Sequence, residues 1–272
     1  MKVAVTSLRL GRASLAAAAL LVTSAGVASP QSMPQGPDVE WLFPVGERFV
    51  YDVMFGPVRV GVARLQVEAV DTLAGAPSYR VAFEIEGGPF FYKIDDRTVS
   101  WIATDPFRSM QFEQILSEGS YRRHRRYAFD HGALTYTRED WDEDAEAYRT
   151  HAEEQDVPIP PAALDEIAYL YLARLLPLTL GRTYRFERYF EDDGNPVILE
   201  VLRRQRVRVA AGRFDTIVVR PIIQTDGMFG EGGQAEVYLT GDERRIIVQI
   251  KTRMKVGELN MYLREYETGA GN

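Results

Sequence analysis

Large side chains recur at every second position over most of the chain, and this alternation limits the possible folds more than any other feature. In residues 49–55 and again in residues 79–85, aromatic or branched side chains occupy alternate positions. Successive side chains of a strand point to opposite faces of a sheet, so the pattern indicates strands with one buried face. Similar runs occur in nine further segments: 93–103, 107–117, 121–129, 183–189, 197–209, 214–224, 236–239, 246–256 and 258–266. Breaks containing Gly, Pro or Asp separate them, which predicts a mainly β antiparallel meander.

The alternation changes phase at two Val-Gly pairs. Apolar residues occupy even positions before Gly61 and odd positions after it, and the same change occurs at Gly257. A one-residue phase change within a strand indicates a bulge or a bend, for which glycine gives the backbone freedom. Such structural bends let a long sheet curl, so we predict a strongly curved antiparallel sheet or an incomplete barrel. The alternative is that separate hairpins meet at these glycines.

One segment, about residues 162–176, has the pattern of a helix. It follows three prolines, has acidic residues in its first turn and Arg174 in its last, and is followed by Pro177. Apolar residues cover most of its circumference, which indicates a helix buried by the sheet. The predicted buried stripe consists of Leu164, Ile167, Ala168, Tyr171, Leu172 and Leu175.

The amino-terminal residues predict export. Three basic residues precede an apolar stretch at 13–27 that is about half as long as a membrane-spanning helix, and small residues at 26–28 suit a cleavage site. We therefore expect a signal peptide over 1–28, a flexible linker over 29–40 and a single β-rich domain over 41–268. The alternatives are a short buried helix or an uncleaved anchor.

Charge and cysteine content restrict the partners and the compartment. Loss of Lys2, Arg9 and Arg12 with the leader changes the formal net charge from −7 to −10, because no acidic residue is lost. An acidic surface argues against nucleic acid as a partner, since neutralisation of phosphates dominates such binding. The chain has no cysteine, which excludes lipid attachment at a lipobox, disulfides and thiolate metal sites. We expect a periplasmic protein that is not a lipoprotein and has no transmembrane segment after leader removal.

No pattern predicts a catalytic residue, a cofactor or a metal site. The spacing of His124, His131 and His151 matches no metal-ligand pattern. The glycines at 227–233 lack the Lys-Ser/Thr of a phosphate loop, and no Gly-x-Ser-x-Gly nucleophile elbow occurs. The acidic run at 140–146 is interpreted as a solvated loop, although two carboxylates beside Trp141 would also suit glycan hydrolysis.

Two patterns are candidates for ligand contacts. Arginines cluster at 122–126 and 203–208 on predicted strands, so at least one in each run faces the inside of the sheet or pairs with a carboxylate. Surface pairing is the simpler account. In the other, Arg123 and Arg125 hold an anionic group of a ligand. Met228 and Phe229 form an apolar hairpin tip that would suit a lid or a membrane-touching loop.

Several short motifs occur in order along nearly the whole chain after the leader. They are Phe43–Arg48 leading into Tyr51-Asp52-Val53, Val60-Gly61, the helix with Asp165 and Arg174, Ala211–Phe214, and Gly241–Arg245 running into Val256–Leu259. Together they resemble a bacterial exported family known as domain of unknown function 3108. After Asp165 this chain departs from the family pattern, because Glu166-Ile167-Ala168 stands where the family has a Ser-containing segment. The resemblance implies an exported, β-rich, single-domain protein and implies no catalytic residue.

We therefore expect a cell-envelope protein that binds or carries an amphiphilic, lipid-like or apolar ligand without catalysis. Rows of aromatic residues offer more apolar surface than a thin sheet needs: Phe90, Phe91, Tyr92, Trp101 and Phe107. One alternative is a structural or assembly factor that docks on another envelope protein through an exposed sheet edge. Another is a hydrolase of cell-wall or capsular glycans that uses the acidic run near Trp141.

Overall fold

The computed structural model describes residues 43–88, 93–223, 235–253 and 257–269. These residues form fifteen strands, the helix α1 (Glu166–Leu175) and a short 3-10 helix (Asp192–Gly194). The strands are β1 (Glu47–Phe55), β2 (Val58–Leu73), β3 (Ala76–Gly87), β4 (Ile94–Thr104), β5 (Phe107–Glu118), β6 (Tyr121–Asp130), β7 (Thr135–Asp142), β8 (Ala147–Thr150), β9 (Val157–Pro158), β10 (Thr183–Phe186), β11 (Val197–Val209), β12 (Gly212–Ile222), β13 (Ala235–Thr240), β14 (Ile247–Arg253) and β15 (Glu258–Thr268). Every segment predicted as a strand contains one.

The strands form one antiparallel sheet that does not close into a barrel. Its order is β10-β11-β12-β13-β14-β15-β1-β2-β3-β4-β5-β6-β7-β8, and β9 pairs with β7. The first and last of the described strands therefore pair with each other inside the sheet, with Glu47 opposite Thr268. The predicted mainly β fold, a strongly curved antiparallel sheet or incomplete barrel with one buried helix, is confirmed.

One face of the sheet, called the inner face here, packs against α1. Tyr171 and Leu172 of α1 are almost fully buried, and the ring of Phe43 meets Tyr171 edge-on at 4.7 Å between centroids. On the strands, Leu65 and Val81 belong to the same core and are equally inaccessible. Full burial of each such side chain contributes about 1.5–3 kcal/mol, so the helix and the inner face stabilise each other.

The helix begins at Glu166, four residues later than the predicted start at residue 162. Ala162 has a φ of +53°, and Leu164 lies in an isolated bridge with Tyr189. The prediction was wrong here because this segment is extended and pairs with another part of the chain. Leu164 is therefore buried outside the helix. No helix in the described ranges has both the length and the hydropathy needed to cross a membrane.

Asp165 is the N-cap that starts α1. Its carboxylate accepts hydrogen bonds from the backbone N–H of Ala168 at 2.9 Å and from the hydroxyls of Ser100 and Ser109 at 2.6 and 2.7 Å. An N-cap carboxylate satisfies a helical N–H that has no partner within the helix. The serines come from β4 and β5, so this cap also attaches the helix to the sheet. Of the predicted stripe, Ile167, Ala168, Tyr171 and Leu172 are buried in α1, whereas Leu175 is only half-buried.

A buried ion pair attaches the last turn of α1 to β1. The guanidinium of Arg174 donates two hydrogen bonds of 2.6 Å to the carboxylate of Glu47, and the two side chains are only 2% and 6% exposed. Arg174 also donates to the backbone carbonyl of Arg244 at 3.0 Å and lies 4.6 Å from the ring centroid of Phe43. Bidentate geometry of this kind offsets part of the cost of removing both charges from water.

The two glycines predicted as equivalent bends have different structures. Gly61 lies within β2, immediately after Val60, where the pairing with β1 shifts by one residue. A Cβ on Gly61 would lie 2.5 Å from the carbonyl oxygen of Glu86, so the close approach of β3 excludes a side chain. Gly257 instead lies in the connection between β14 and β15 and has a φ of +82°. The predicted equivalence is wrong, because the phase change at Gly257 comes from a chain reversal.

Candidate binding cavity

A cavity of about 320 Å³ lies between the inner face of the sheet and the first turns of α1. Ligand pockets in proteins have volumes of roughly 300–1,000 Å³, so this cavity lies at the lower end of that range. Its apolar wall includes Tyr51, Leu65, Phe83, Phe112, Ile167 and Ile250. Its polar wall includes Asp96, Thr98, Gln114, Glu118, Arg123 and Glu166.

The cavity wall changes from apolar to polar across the sheet. One row of directly opposed residues runs from Leu65 on β2 through Phe83 on β3 to Thr98 on β4, and Gln114 on β5 continues it. Opposed residues in antiparallel strands point to the same face, so these side chains form one continuous strip. The strip therefore presents apolar groups from β2 and β3 and polar groups from β4 and β5 to the same space.

Arg123 supplies the positive charge of the polar wall. Tyr127 and Phe129 of β6 are buried on the inner face. Arg123 lies an even number of residues from both along this strand, so its side chain points to the same face. Its Nε is buried and has no hydrogen-bond partner among the described residues, while its guanidinium lies 5.4 Å from the ring centroid of Tyr121. An unsatisfied buried donor costs about 1–3 kcal/mol, so this position favours a ligand that brings an acceptor.

Arg125, the other arginine predicted as a ligand contact, is engaged by neighbouring side chains. Arg125 donates to the hydroxyl of Tyr127 at 3.3 Å and lies 3.5 Å from the carboxylate of Asp140. These contacts place Arg125 in an ion pair, and it is not part of the cavity wall described above. Met228 and Phe229, the predicted hairpin tip, lie outside the described residues.

Glu166, which the sequence did not indicate as a site residue, contributes a carboxyl group to the cavity wall. Its Oε1 accepts a hydrogen bond from the hydroxyl of Tyr189 at 2.8 Å, and its Oε2 is buried without a partner among the described residues. Burial, and then the nearby charge of Asp165, raises the pKa of Glu166 to about 7. Near neutral pH this carboxyl group is therefore partly protonated and can both donate and accept a hydrogen bond.

The acidic run near Trp141 is not a solvated loop over its whole length, because residues 140–142 belong to β7. Asp140 forms an ion pair with Arg138 at 2.8 Å, and Asp142 forms one with Arg149 at 2.7 Å. Trp141 stacks on the ring of His124 at 5.3 Å. These contacts hold the carboxylates of Asp140 and Asp142 along a hairpin, which is not the open pair across a cleft that glycan hydrolysis requires.

The two end strands of the sheet, β8 and β10, are four residues long. Both have charged side chains at their edges: Arg149 pairs with Asp142, and Arg185 pairs with Glu187 at 2.9 Å. Short, charged edge strands are the usual protection against pairing with another chain. These two strands are therefore too short to be the long unprotected strand that docking through a sheet edge would use.

Comparisons with known proteins give a family and distant structural neighbours. The model of the family described as "Protein of unknown function (DUF3108)" matches residues 50–264. No curated protein matches the sequence. Solved structures with a similar shape include a β-barrel-like protein of the domain of unknown function DUF1849 from Brucella abortus, with a TM-score of 0.49 and 8% identity over 84% of this chain and 99% of that one.

Two further neighbours are less similar in shape. One is a predicted lipoprotein from Parabacteroides distasonis, with a TM-score of 0.32 and 12% identity over 85% of this chain and 100% of that one. The other is a predicted exported protein with a YmcC-like fold from Bacteroides fragilis, with a TM-score of 0.32 and 12% identity over 83% and 98%. Nothing about the ligand or activity of this chain follows from these similarities.

Proposed function

Because the chain belongs to the DUF3108 family, whose description assigns no activity, we propose a function from the cavity itself: the protein binds or carries an amphiphilic ligand between α1 and the inner face. The observation that supports this proposal is the distribution of side chains on the cavity wall: those from β1–β3 are apolar or aromatic, and the polar ones from the sheet all lie on β4–β6, beside Phe112 and Leu116 of β5. A ligand with an apolar tail and a polar head matches such a wall.

Each part of the wall has a separate role in this proposal. Side chains such as Leu65 and Phe83 remove the tail from water, which contributes about 25 cal/mol for each Å² of apolar surface buried. Arg123 then holds an anionic head group through hydrogen bonds to its guanidinium, whose Nε has no other partner among the described residues. Glu166, when protonated, can donate a hydrogen bond to the same head group.

We also propose that this function is carried out in the periplasm. Support comes from the residue pattern at 1–28, where basic residues precede a short apolar stretch and a small-residue cleavage site. An extracytoplasmic protein that binds amphiphiles would meet lipids and their hydrolysis products in the envelope, and its acidic surface would limit adhesion to anionic membranes.

The test combines identification and titration. Native mass spectrometry of protein purified from the periplasm, followed by solvent extraction, should reveal a copurified amphiphile. Titration with a fluorescent fatty acid should show saturable binding that Arg123→Gln weakens about tenfold or more, since a hydrogen bond to a charged group contributes about 1.5–3 kcal/mol.

Arg122→Gln is the matched control for this titration. Arg122 is the neighbouring residue on β6, is exposed, and donates to the backbone carbonyls of Gly119 and Tyr121. Its substitution removes the same charge from the opposite face and should leave the affinity unchanged. Equal weakening by both substitutions, or no saturable binding by the native protein, would contradict the proposed site.

A further inference from the structure

A second apolar space lies on the same face of the sheet, against the other side of α1. It is a crevice of about 20 Å³ between the helix and β10–β13. Every described residue of its lining is apolar or aromatic, including Leu172, Leu176, Leu199 and Val219. A space of this volume holds about one water molecule, so the crevice is nearly closed by its own side chains.

The crevice and the cavity are adjacent parts of one groove. Val237 of the crevice is directly opposite Ile250 of the cavity in the pairing of β13 with β14, so both side chains point to the inner face. Leu170 of α1, which is 9% exposed, is the one described residue that lines both spaces. Leu170 therefore lies at the boundary between them.

The order of strands in the sheet gives this groove a direction. Arg123 on β6 is at the polar end, and the apolar wall continues through β3, β2 and β1 to Ile250 on β14. The crevice follows on β13 to β10, beyond Leu170. A linear amphiphile with its head at Arg123 would thus extend its tail toward Leu170, and any longer tail would meet that side chain.

We propose that Leu170 sets the maximum length of the aliphatic tail that the cavity accepts, and that the ligand class is an unbranched acyl carboxylate. This inference rests on the proposed binding function. Tail carbons that fit between Arg123 and Leu170 are buried, and each buried methylene improves the affinity about fourfold. A longer tail meets Leu170, does not enter the closed crevice beyond it, and therefore gains no affinity from its extra carbons.

The experiment measures displacement of a fluorescent fatty acid by a homologous series of saturated fatty acids. For the native protein, affinity should rise about fourfold with each added methylene and then stop rising at one length. Leu170→Ala joins the cavity to the crevice, so the rise should continue to longer acids. Leu170→Phe extends the boundary into the cavity, so the rise should stop at a shorter acid.

Leu263→Ala is the matched control, because it removes the same atoms from a fully buried position outside both linings. It should keep the native length limit. If the native protein has a length limit and both substitutions of Leu170 leave it unchanged, the role of Leu170 is refuted while binding stands. If the native protein binds no acid of any length, the proposed function itself fails. If circular dichroism shows that Leu170→Ala does not fold, the test relies on Leu170→Phe alone. A length limit at a shorter acid then supports the role of Leu170, and an unchanged limit refutes it.

Discussion

Replacing Arg174 with methionine leaves the carboxylate of Glu47 in a site where both side chains were almost inaccessible to water. The substitution removes two hydrogen bonds of 2.6 Å to that carboxylate and one of 3.0 Å to the carbonyl of Arg244. Breaking a buried ion pair by removing one partner typically costs about 3–5 kcal/mol, mostly because a buried charge is left uncompensated. We expect the free energy of unfolding to fall by that amount.

The double variant tests whether the uncompensated charge is the cause. Glu47→Leu together with Arg174→Met replaces both charges by apolar groups, and such replacements are often close to neutral for stability. We expect it to lose less than about 2 kcal/mol, the main remaining cost being the unpaired carbonyl of Arg244. The exposed pair of Arg185 and Glu187 provides the control: Arg185→Met should cost less than about 1 kcal/mol.

Urea unfolding followed by the fluorescence of the three tryptophans measures each variant. A loss below about 1 kcal/mol for Arg174→Met would refute the reasoning, because a buried carboxylate without its partner should destabilise the fold by more than this. The single variant Glu47→Leu completes the comparison. If the double variant loses as much free energy of unfolding as Glu47→Leu and Arg174→Met added together, the reasoning is also refuted, since the two side chains would then contribute independently.

Three further predictions concern other parts of the chain. Because the pKa of Glu166 is raised to about 7 in the folded protein, ionisation of this group destabilises the fold as the pH rises through this range. The free energy of unfolding of Glu166→Gln, measured in urea, should therefore rise by about 3 kcal/mol relative to that of the native protein between about pH 4 and about pH 8. A difference between the two proteins that does not change with pH would contradict this. Leu172→Ala should cost about 2–5 kcal/mol, whereas Leu180→Ala at an exposed position should cost less than about 0.5 kcal/mol; equal losses would place α1 outside the core. Sequencing of the amino terminus of periplasmic protein should give a start near Ser29, and recovery of Met1 would argue against processing.

The strands could be predicted wherever one face is apolar and the other polar. Residues 79–85 alternate in this way and lie in β3. The strand β7 was missed because ion pairs, not apolar contacts, hold much of it: Arg138 pairs with Glu154, and Glu139 pairs with Arg126. Apart from the buried Tyr136 and from Trp141, every residue of β7 has a charged or hydroxyl side chain, so the strand has no apolar period to detect.

The candidate site was predictable only in part, for a related reason. The alternation along β6 identified Arg123 as a residue that can face inward, because strand parity is a local property. The role of Glu166 depends on Tyr189 and on the burial of the helix by distant strands. The start of α1 likewise depends on Ser100 and Ser109, which lie far from Asp165 in sequence. Local patterns contain no information about such contacts.

The pairing of β1 with β15 determines when the sheet can be completed during synthesis. Strand β1 is the first of the described strands to leave the ribosome, yet its partner β15 is the last of them to appear. Until then the edges of β1 and β14 are open to other chains. Contacts so distant in sequence also slow folding. An emerging chain with this topology therefore stays incompletely folded, and it requires protection from aggregation until β15 arrives.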